Sequence, residues 1–445
     1  MPRSRVVWSG LLLPLLAAPP LDAQDSRPVG EAPAVENPRV EELTVEQRLA
    51  ALEAREAQRA REALALSFRD GLRLESADRQ FELRIGGRMQ LDALFGDADD
   101  DAVATVGADL DDGTQMRRGR LALQGRLWHH FDFKWEYDFA DKDGKSKVMD
   151  AWAGIVGAGA RPNLRVGHFR EPFGHEALTG SSDLLFMERA LPFAFVPFRN
   201  VGLQAQQAAL DEQVTWAAGL FRETNDSAFG QADGAWAVTA RVTGLAWCTA
   251  KKDHLVHLGL SASRRAPPGD EVQYRSKPEA NLAPDWVDTT KLTDVDRVLL
   301  SGVEAAVLLD RFSLQGEWVA AEVQRSAGHD DAELGGWYAQ AAWTLTGEPR
   351  RYDGAAGVLR SPKPARSLFA EGGGFGAWEL AVRRSTLDFD DGAVAGGQLE
   401  DLTLGLNWYV NPVTRIALNA IRADLDGAPP NGSGNLLELR VHLGF

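Results

Sequence analysis

Side chains of opposite character alternate at every second residue through most of this chain, and nothing else in it restricts the possible folds so sharply. In residues 435–445, Leu437, Leu439, Val441, Leu443 and Phe445 make one apolar row, and Glu438, Arg440 and His442 make the opposing polar row. Successive side chains of a strand point to opposite faces, so such a segment is greasy on one side and charged on the other. Alone, it fits a half-buried strand of a soluble sheet or the wall of a transmembrane barrel with lipid outside and water inside.

The pattern recurs. Phe81, Leu83, Ile85, Met89 and Leu91 oppose Glu82, Arg84, Arg88, Gln90 and Asp92. Leu121, Leu123 and Leu127 oppose Arg118, Arg120, Gln124 and Arg126, and Phe131, Phe133, Trp135, Tyr137 and Phe139 oppose Asp132, Lys134, Glu136 and Asp138. Residues 337–346 and 401–410 behave in the same way. About sixteen such segments lie between 80 and 445, an even number as single-chain barrels require. Dense charge on the polar rows, with Trp or Phe near many strand ends, favours lipid-facing strands with interfacial aromatic girdles over a soluble sandwich. The expected fold is all-β: a sixteen-stranded antiparallel transmembrane β-barrel over residues 80–445.

The chain ahead of it has a different composition. Arg3 and Arg5 precede an apolar run over 6–18, and Ala23 offers a cleavage point, which reads as a secretory signal peptide over 1–23. Residues 24–39 form an acidic, proline-broken linker. Residues 40–67 are rich in Ala, Glu, Arg and Leu. There Val45, Leu49, Leu52, Ala63 and Leu66 follow a coiled-coil seam that Glu56 and Arg59 interrupt. A bundle joining several copies and a solvated single helix both fit that pattern. No later stretch reaches the roughly 20 apolar residues of a helical span. Cys248 is the only cysteine, so there is no intramolecular disulfide framework, and the formal charge of −16 argues against a nucleic-acid partner.

Strand parity sorts the connections. Counted from the side on which residue 445 lies, 129–130, 211–213, 310–311 and 411–412 become tight turns on that side. The segments 97–112, 173–199, 267–296 and 426–434 become long loops on the other. One segment, 348–375, is long yet falls on the short-turn side, and folding into the lumen would explain it.

Several stretches are recognisable together: Gly167-His168-Phe169-Arg170-Glu171-Pro172-Phe173-Gly174, Phe186-Met187-Glu188-Arg189-Ala190-Leu191-Pro192 and Trp343-Thr344-Leu345-Thr346-Gly347-Glu348-Pro349. Gly376-Ala377-Trp378-Glu379-Leu380-Ala381 and Leu404-Gly405-Leu406-Asn407-Trp408-Tyr409 follow in order. Over about 81–445 the chain resembles the phosphate-selective porin O and P family of bacterial outer membranes, and its terminal aromatic is similar to the ending of outer-membrane proteins. The resemblance implies a trimer that passes small anions such as phosphate or polyphosphate, set among outer-membrane lipid and lipopolysaccharide, with 173–199, 267–296 and 348–375 folded into the lumen. It also places the 40–67 helix in the periplasm. The basic residues here are mainly arginine, where the resemblance implies lysine clusters for phosphate-specific members.

An anion path needs donors that replace hydration without holding the ion too tightly, and arginine suits this with its fork of N–H groups and a permanent charge. The lumenal rows supply Arg84, Arg88, Arg118, Arg120, Arg126 and Lys134; parity turns Arg117 the other way, unless it lies above the membrane. Residues 179–182, with Ser181 and Ser182, offer hydroxyl and backbone donors, and Arg189 follows. Arg350 and Arg351 open a basic run that continues through Arg360, Lys363 and Arg366. Glu82, Asp92, Asp132, Glu136 and Asp138 share faces with the first set, so a mixed transverse field of a general porin is the rival reading. A barrel plugged by its loops, with the helix anchoring the envelope, is another.

Other patterns carry no chemistry. His254 and His257 are three apart on a strand and face opposite sides. Gly372-Gly373-Gly374 lacks the Lys-Ser/Thr of a phosphate-binding loop, and Asn431-Gly432-Ser433 is a sequon without context. The acidic loop from Asp97 to Asp112 reads as solvated rather than as a calcium site, and Glu171 and Glu176 give no evidence of a carboxylate pair. No spacing supports a catalytic triad, and neither a cofactor nor a metal is expected.

Overall fold

The computed structural model describes residues 44–62, 64–68, 71–140, 146–231, 233–326, 328–427 and 431–445. The expected export segment 1–23, the linker 24–39, residues 40–43 and Ala63 lie outside them.

A helix runs over Val45–Glu62. Its start is written in the sequence as Thr44-Val45-Glu46-Gln47. The Gln47 amide N–H donates to Thr44 Oγ1 at 3.3 Å, and the Thr44 N–H donates to Gln47 Oε1 at 2.9 Å, the reciprocal pairing of a capping box. Val45, Leu49 and Leu52 are exposed along it. The helix does not reach Leu66 as the sequence suggested. Leu64–Phe68 is a strand, antiparallel to Leu72–Ser76. Leu64, Leu66 and Phe68 are spaced for a strand face as well as for a seam, and pairing with a partner only a few residues away decides between them.

The main sheet contains eighteen strands; the first two form that hairpin, and the other sixteen close into a barrel. They are β1 (Phe81–Ala98), β2 (Gly113–Leu127), β3 (Phe131–Asp138), β4 (Lys147–Ile155), β5 (Asn163–Arg170), β6 (Arg199–Ala209), β7 (Val214–Arg222) and β8 (Trp236–Cys248). After them come β9 (His254–Arg265), β10 (Val295–Leu309), β11 (Phe312–Arg325), β12 (Ala332–Thr344), β13 (Ala377–Asp391), β14 (Val394–Asn411), β15 (Thr414–Asp426) and β16 (Gly432–Gly444). Each strand pairs antiparallel with the next, and β16 pairs with β1 from Gly434↔Ala98 to Gly444↔Arg88. Phe445 completes the seam, exchanging backbone hydrogen bonds with Gly87 at 2.8 and 3.0 Å. Closure removes the unpaired edges that an open sheet would expose.

The opening pattern holds on β16: Leu437, Leu439, Val441, Leu443 and Phe445 are exposed, while Glu438, Arg440 and His442 are buried inside. Near the turn end, aromatic rings gather on the outer wall. Phe81 meets Trp128 edge-on at 5.3 Å, while Phe312–Trp343 and Trp378–Trp408 stack at 5.8 and 5.0 Å. Such a band suits a membrane interface.

The inner wall departs from strict alternation of lipid and water. Toward the loop end of β10 to β15, inward positions such as Val298, Leu300, Val319, Val323, Leu387 and Phe389 are apolar and buried. Phe173, Leu191, Phe195, Tyr274 and Trp286 from two long loops pack against them. One side of the lumen is thus a dry core, with each fully buried apolar side chain contributing about 1.5–3 kcal/mol. The wall is also uneven. Strands β3, β4, β5 and β7 have 8, 9, 8 and 9 residues, against 13 to 18 in β10 through β16.

The expected turns and loops fall where parity put them, and 348–375 does enter the barrel. Its hairpin, Arg351–Asp353 paired with Val358–Arg360, lies against the inner wall. Tyr352 Oη bonds His257 Nδ1 at 2.9 Å, Thr215 donates to the Gly354 carbonyl at 2.6 Å, and Arg241 donates to the Ala356 and Gly357 carbonyls. The acidic 97–112 loop is more ordered than a solvated loop. Asp99 caps a helix over Asp100–Val106, accepting from the Ala102 N–H at 2.8 Å, and its second oxygen accepts from the Ser433 N–H and hydroxyl. Those two bonds strap the first loop to the start of β16.

Candidate functional site: an arginine-lined passage beside the third loop

The third long-side loop, the connection between β5 and β6 at residues 171–198, enters the lumen and is fixed there largely through its backbone. At its entry the Glu317 carboxylate on β11 accepts from the His175 and Glu176 N–H groups at 2.8 and 2.7 Å. Arg170 Nη1 donates to the Ala177, Leu178 and Thr179 carbonyls at 2.8–3.0 Å. Further along, Arg415 donates to the Leu184 and Leu185 carbonyls, Arg440 to that of Met187, and Arg383 to that of Glu188. Arginine suits this work because its planar fork reaches several acceptors at once. The segment therefore stands as a partition, with the dry core behind it and the β1–β3 wall in front.

The space in front is polar. A cavity of about 560 Å³ opens toward the loop end, and a second of about 230 Å³ toward the turn end. Between them is a gap of about 10 Å³ lined by Gln90, Ser181, Ser182, Arg415, Arg440 and His442. It shares Ser181 with the upper chamber, and Ser182, Arg415 and His442 with the lower one. That is room for about one water, so side chains must move aside for a solute to pass through it. Basic residues outnumber acidic ones in both chambers, by eight to five above and by five to one below. The local sign is opposite to that of the whole chain.

Most of the residues singled out in the sequence meet here. Arg88 Nη1 donates to Ser181 Oγ at 3.0 Å and Ser182 Oγ at 3.4 Å, joining wall and loop, and its Nη2 approaches Glu136 at 3.3 Å. Arg118, buried, donates to Gln90 Oε1 at 2.6 Å. Arg120 donates to Asp138 at 2.6 Å and Glu136 at 3.3 Å. Lys134 pairs with Glu136 at 2.6 Å and also with Asp150. Arg189 donates to the Glu176 and Thr179 carbonyls at 3.1 and 2.9 Å and lies 4.9 Å from both the Phe193 and Phe198 rings. Arg84 and Arg351 line the lower chamber.

Two fall elsewhere in the network. Arg350 is buried against Glu379 at 2.9 Å and the Asp183 carbonyl at 2.7 Å, which makes it a brace between loop and wall. Arg126 pairs with Asp132 at 2.6 and 2.9 Å near the turn end of β2, half exposed and away from the gap.

Parity misplaced Arg117. In the β1–β2 ladder Gln90 faces Arg118 and Leu91 faces Met116, which leaves Arg117 as the extra residue of a β-bulge. The bulge lets Met116 stay on the lipid side while Arg117 and Arg118 both turn inward. Arg117 then donates to Glu188 at 2.8 and 2.9 Å. The sequence reading also missed Arg170 and Arg199, which with Arg189 surround the Phe198 ring at 4.5–5.1 Å. Arg170 belongs to the His168-Phe169-Arg170-Glu171 stretch, so its signal lies in the sequence itself. Glu171 and Glu176, set aside earlier, prove to be buried anchors. Glu171 accepts from Asn200, Thr239 and Arg265, and Glu176 from the Ala190 N–H and Arg383.

An uninterrupted cylinder of sixteen strands, apolar outside and threaded by charged chambers, is an outer-membrane porin: a channel, not an enzyme. The sequence model of the family described as phosphate-selective porin O and P matches residues 83–445, and the chain belongs to that family. Its relatives include Porin O of Pseudomonas aeruginosa, 25% identical over 401 residues, covering 82% of this chain and 87% of that one. An uncharacterized protein of Caulobacter vibrioides is 29% identical over 403 residues, covering 85% of this chain and 77% of that one. Among solved structures, the anion-selective porin of Comamonas acidovorans superposes with a TM-score of 0.52 at 12% identity, over 82% of this chain and all of that one. The outer-membrane channel DcaP of Acinetobacter baumannii gives 0.53 at 10% identity, over 83% and 99%. At such identities these two show the shared fold alone. The protein resides in the bacterial outer membrane.

Proposed function

We propose that this porin passes small anions by passive diffusion, phosphate or polyphosphate among them, through the arginine-lined gap beside the third loop. The observation that carries the reading is the excess of basic residues in both chambers of a chain whose overall charge is −16. Fixed positive charge on low-dielectric walls concentrates anions and excludes cations. Serine hydroxyls beside Arg88 offer the neutral and charged donors that an oxyanion needs in place of water. The relative named Porin O and the family description point the same way.

In planar bilayers across a potassium chloride gradient, the reversal potential should show anions crossing in preference to potassium. Inorganic phosphate should lower the chloride current in a saturable way. A cation-selective reversal potential sinks the anion reading. The carboxylates paired with nearly every lumenal arginine favour one rival, a general porin with a mixed transverse field. Anion and cation currents of equal size with no phosphate block would establish it.

The working unit we propose is a homotrimer. Strands of 8 or 9 residues, tilted as barrel strands are, fall at or below the roughly 9–11 residues needed to cross the hydrocarbon. A neighbouring copy covering β3 to β7 would spare lipid that mismatch. The exposed Val45, Leu49 and Leu52 row gives three copies a periplasmic seam in the same assembly. Light scattering in mild detergent should give the mass of three chains; a single chain per particle overturns this assignment.

A further inference from the structure

Among the described residues, Glu188 is the one acidic side chain placed where guanidinium groups from two separate wall strands converge on the third loop. Its carboxylate takes two hydrogen bonds from Arg117, at 2.8 and 2.9 Å, and one from Arg440 Nη2 at 2.7 Å. Arg118 Nη2 stands 3.5 Å from its second oxygen. Arg117 and Arg118 come from β2, where the bulge brings both inside, and Arg440 comes from β16. Glu188 itself lines the upper chamber and keeps a partly open face, its side chain 14% exposed.

We propose that Glu188 is a resident counter-anion: its carboxylate occupies the oxyanion position of the Arg117–Arg118–Arg440 cluster, and a permeating phosphate displaces it. This rests on the anion reading above and adds to it the residue that sets how tightly the ion is held. The chemistry is an exchange of one oxyanion for another. Phosphate presents oxygens to the same forks that hold the two carboxylate oxygens, and Glu188 swings into the chamber as the ion enters. An ion leaving the cluster is replaced by the side chain, so the guanidinium groups are never stripped of a partner. Conduction demands that kind of weakness, because a site that binds well enough to enter must also release.

Two details set Glu188 apart from the other carboxylates nearby. Asp92 is fully engaged with Arg440 in a bidentate pair at 2.7 Å, and Asp138 with Arg120 and two backbone N–H groups. Both belong to wall strands. Glu188 is carried by the loop, and Arg117 directs both of its hydrogen bonds to it. Burial alone would raise the Glu188 carboxyl, but Arg117, Arg118 and Arg440 outweigh it and hold the group well below the usual carboxylate range. It therefore competes as an anion at any physiological pH.

The test is a phosphate titration of chloride current through wild-type and Glu188→Gln channels. The amide keeps the shape and one acceptor but surrenders the charge, so phosphate should meet an emptier cluster. The concentration that halves the current should fall about tenfold, the equivalent of ~1.4 kcal/mol, with anion selectivity kept or increased. A midpoint that is unchanged or higher overturns the proposal. Should Glu188→Gln fail to insert, Arg117→Gln removes one arm of the cluster from a half-buried position. There the midpoint should rise, and an unmoved midpoint is equally fatal. A cation-selective wild-type channel would instead strike at the anion reading itself, so the two failures are told apart by which channel shows them.

Discussion

Replacing Arg118 and Arg120 together by alanine should lower the ratio of anion to cation permeability about tenfold, the equivalent of ~1.4 kcal/mol in the upper chamber. The barrel should survive the change, because the carboxylates left behind keep other partners. Asp138 still accepts from the Gly119 and Ala140 N–H groups at 3.0 and 3.2 Å, and Glu136 still faces Arg88 and Lys134. What is lost is charge: the upper chamber goes from eight basic residues against five acidic to six against five. Removing both members of a wall pair next to buried acids also leaves Glu188 with one fewer cation. Reversal potentials measured in a salt gradient read the effect directly. Arg126→Ala is the control, since its pairing with Asp132 lies near the rim, and its reversal potential should stay at the wild-type value. If the double variant also keeps the wild-type value, selectivity resides in the lower chamber with Arg84, Arg351, Arg360 and Lys363.

Arg383→Met should act on structure first and on current through it. Arg383 on β13 is buried at 1% exposure and holds two loops at once. It pairs with Glu279 of the 266–294 loop, reaches Glu176 of the third loop at 3.3 Å, and covers the Phe186 ring at 4.3 Å. Glu279 also accepts from Ser385 and Thr403, so three wall side chains converge on one carboxylate of the loop tip. Burial pushes the Glu176 carboxyl up, and Arg383 is the leading influence that pulls it down, so loss of the guanidinium moves Glu176 further in the upward direction. Leaving one partner of a buried ion pair uncompensated costs about 3–5 kcal/mol. Both loops should retract from the lumen, raising single-channel conductance severalfold and exposing 266–294 to proteolysis. Adding Glu279→Gln should restore much of the wild-type behaviour, as expected for directly coupled sites. Unchanged conductance with an uncut loop would show that the dry core and the remaining clamps hold the loops without Arg383.

These two cases also mark what the chain discloses before any coordinates. The cylinder was legible because its signal is local: each strand repeats the same two-residue contrast, and Leu437, Glu438 and Leu439 suffice to orient a wall. The long turn-side segment was legible for a related reason, since a parity count needs only turns such as 129–130 and 310–311. Arg117 was not, because a bulge inserts one residue and reverses the count beyond it. Nor were Arg383, Arg415 and Arg440. Each sits on a regular polar row, indistinguishable in sequence from Arg88, yet each also donates to a carbonyl of the third loop, between 195 and 253 residues earlier. Pairing over such separations leaves no trace in a single sequence. The helix end failed differently, since Leu64, Leu66 and Phe68 satisfy two periodicities and only the neighbouring strand at Leu72–Ser76 breaks the tie.

The clamps on the third loop grip carbonyl oxygens at Leu184, Leu185, Met187 and Glu188, atoms that every amino acid possesses. The loop's course is consequently indifferent to which side chains it bears, apart from the few that are themselves anchors. Point changes at Ser181, Ser182 or Glu188 would thus alter the side chains that face the passage while its scaffold stays put. Channels built this way are free to drift between solutes one residue at a time, without having to re-evolve the barrel around each new preference.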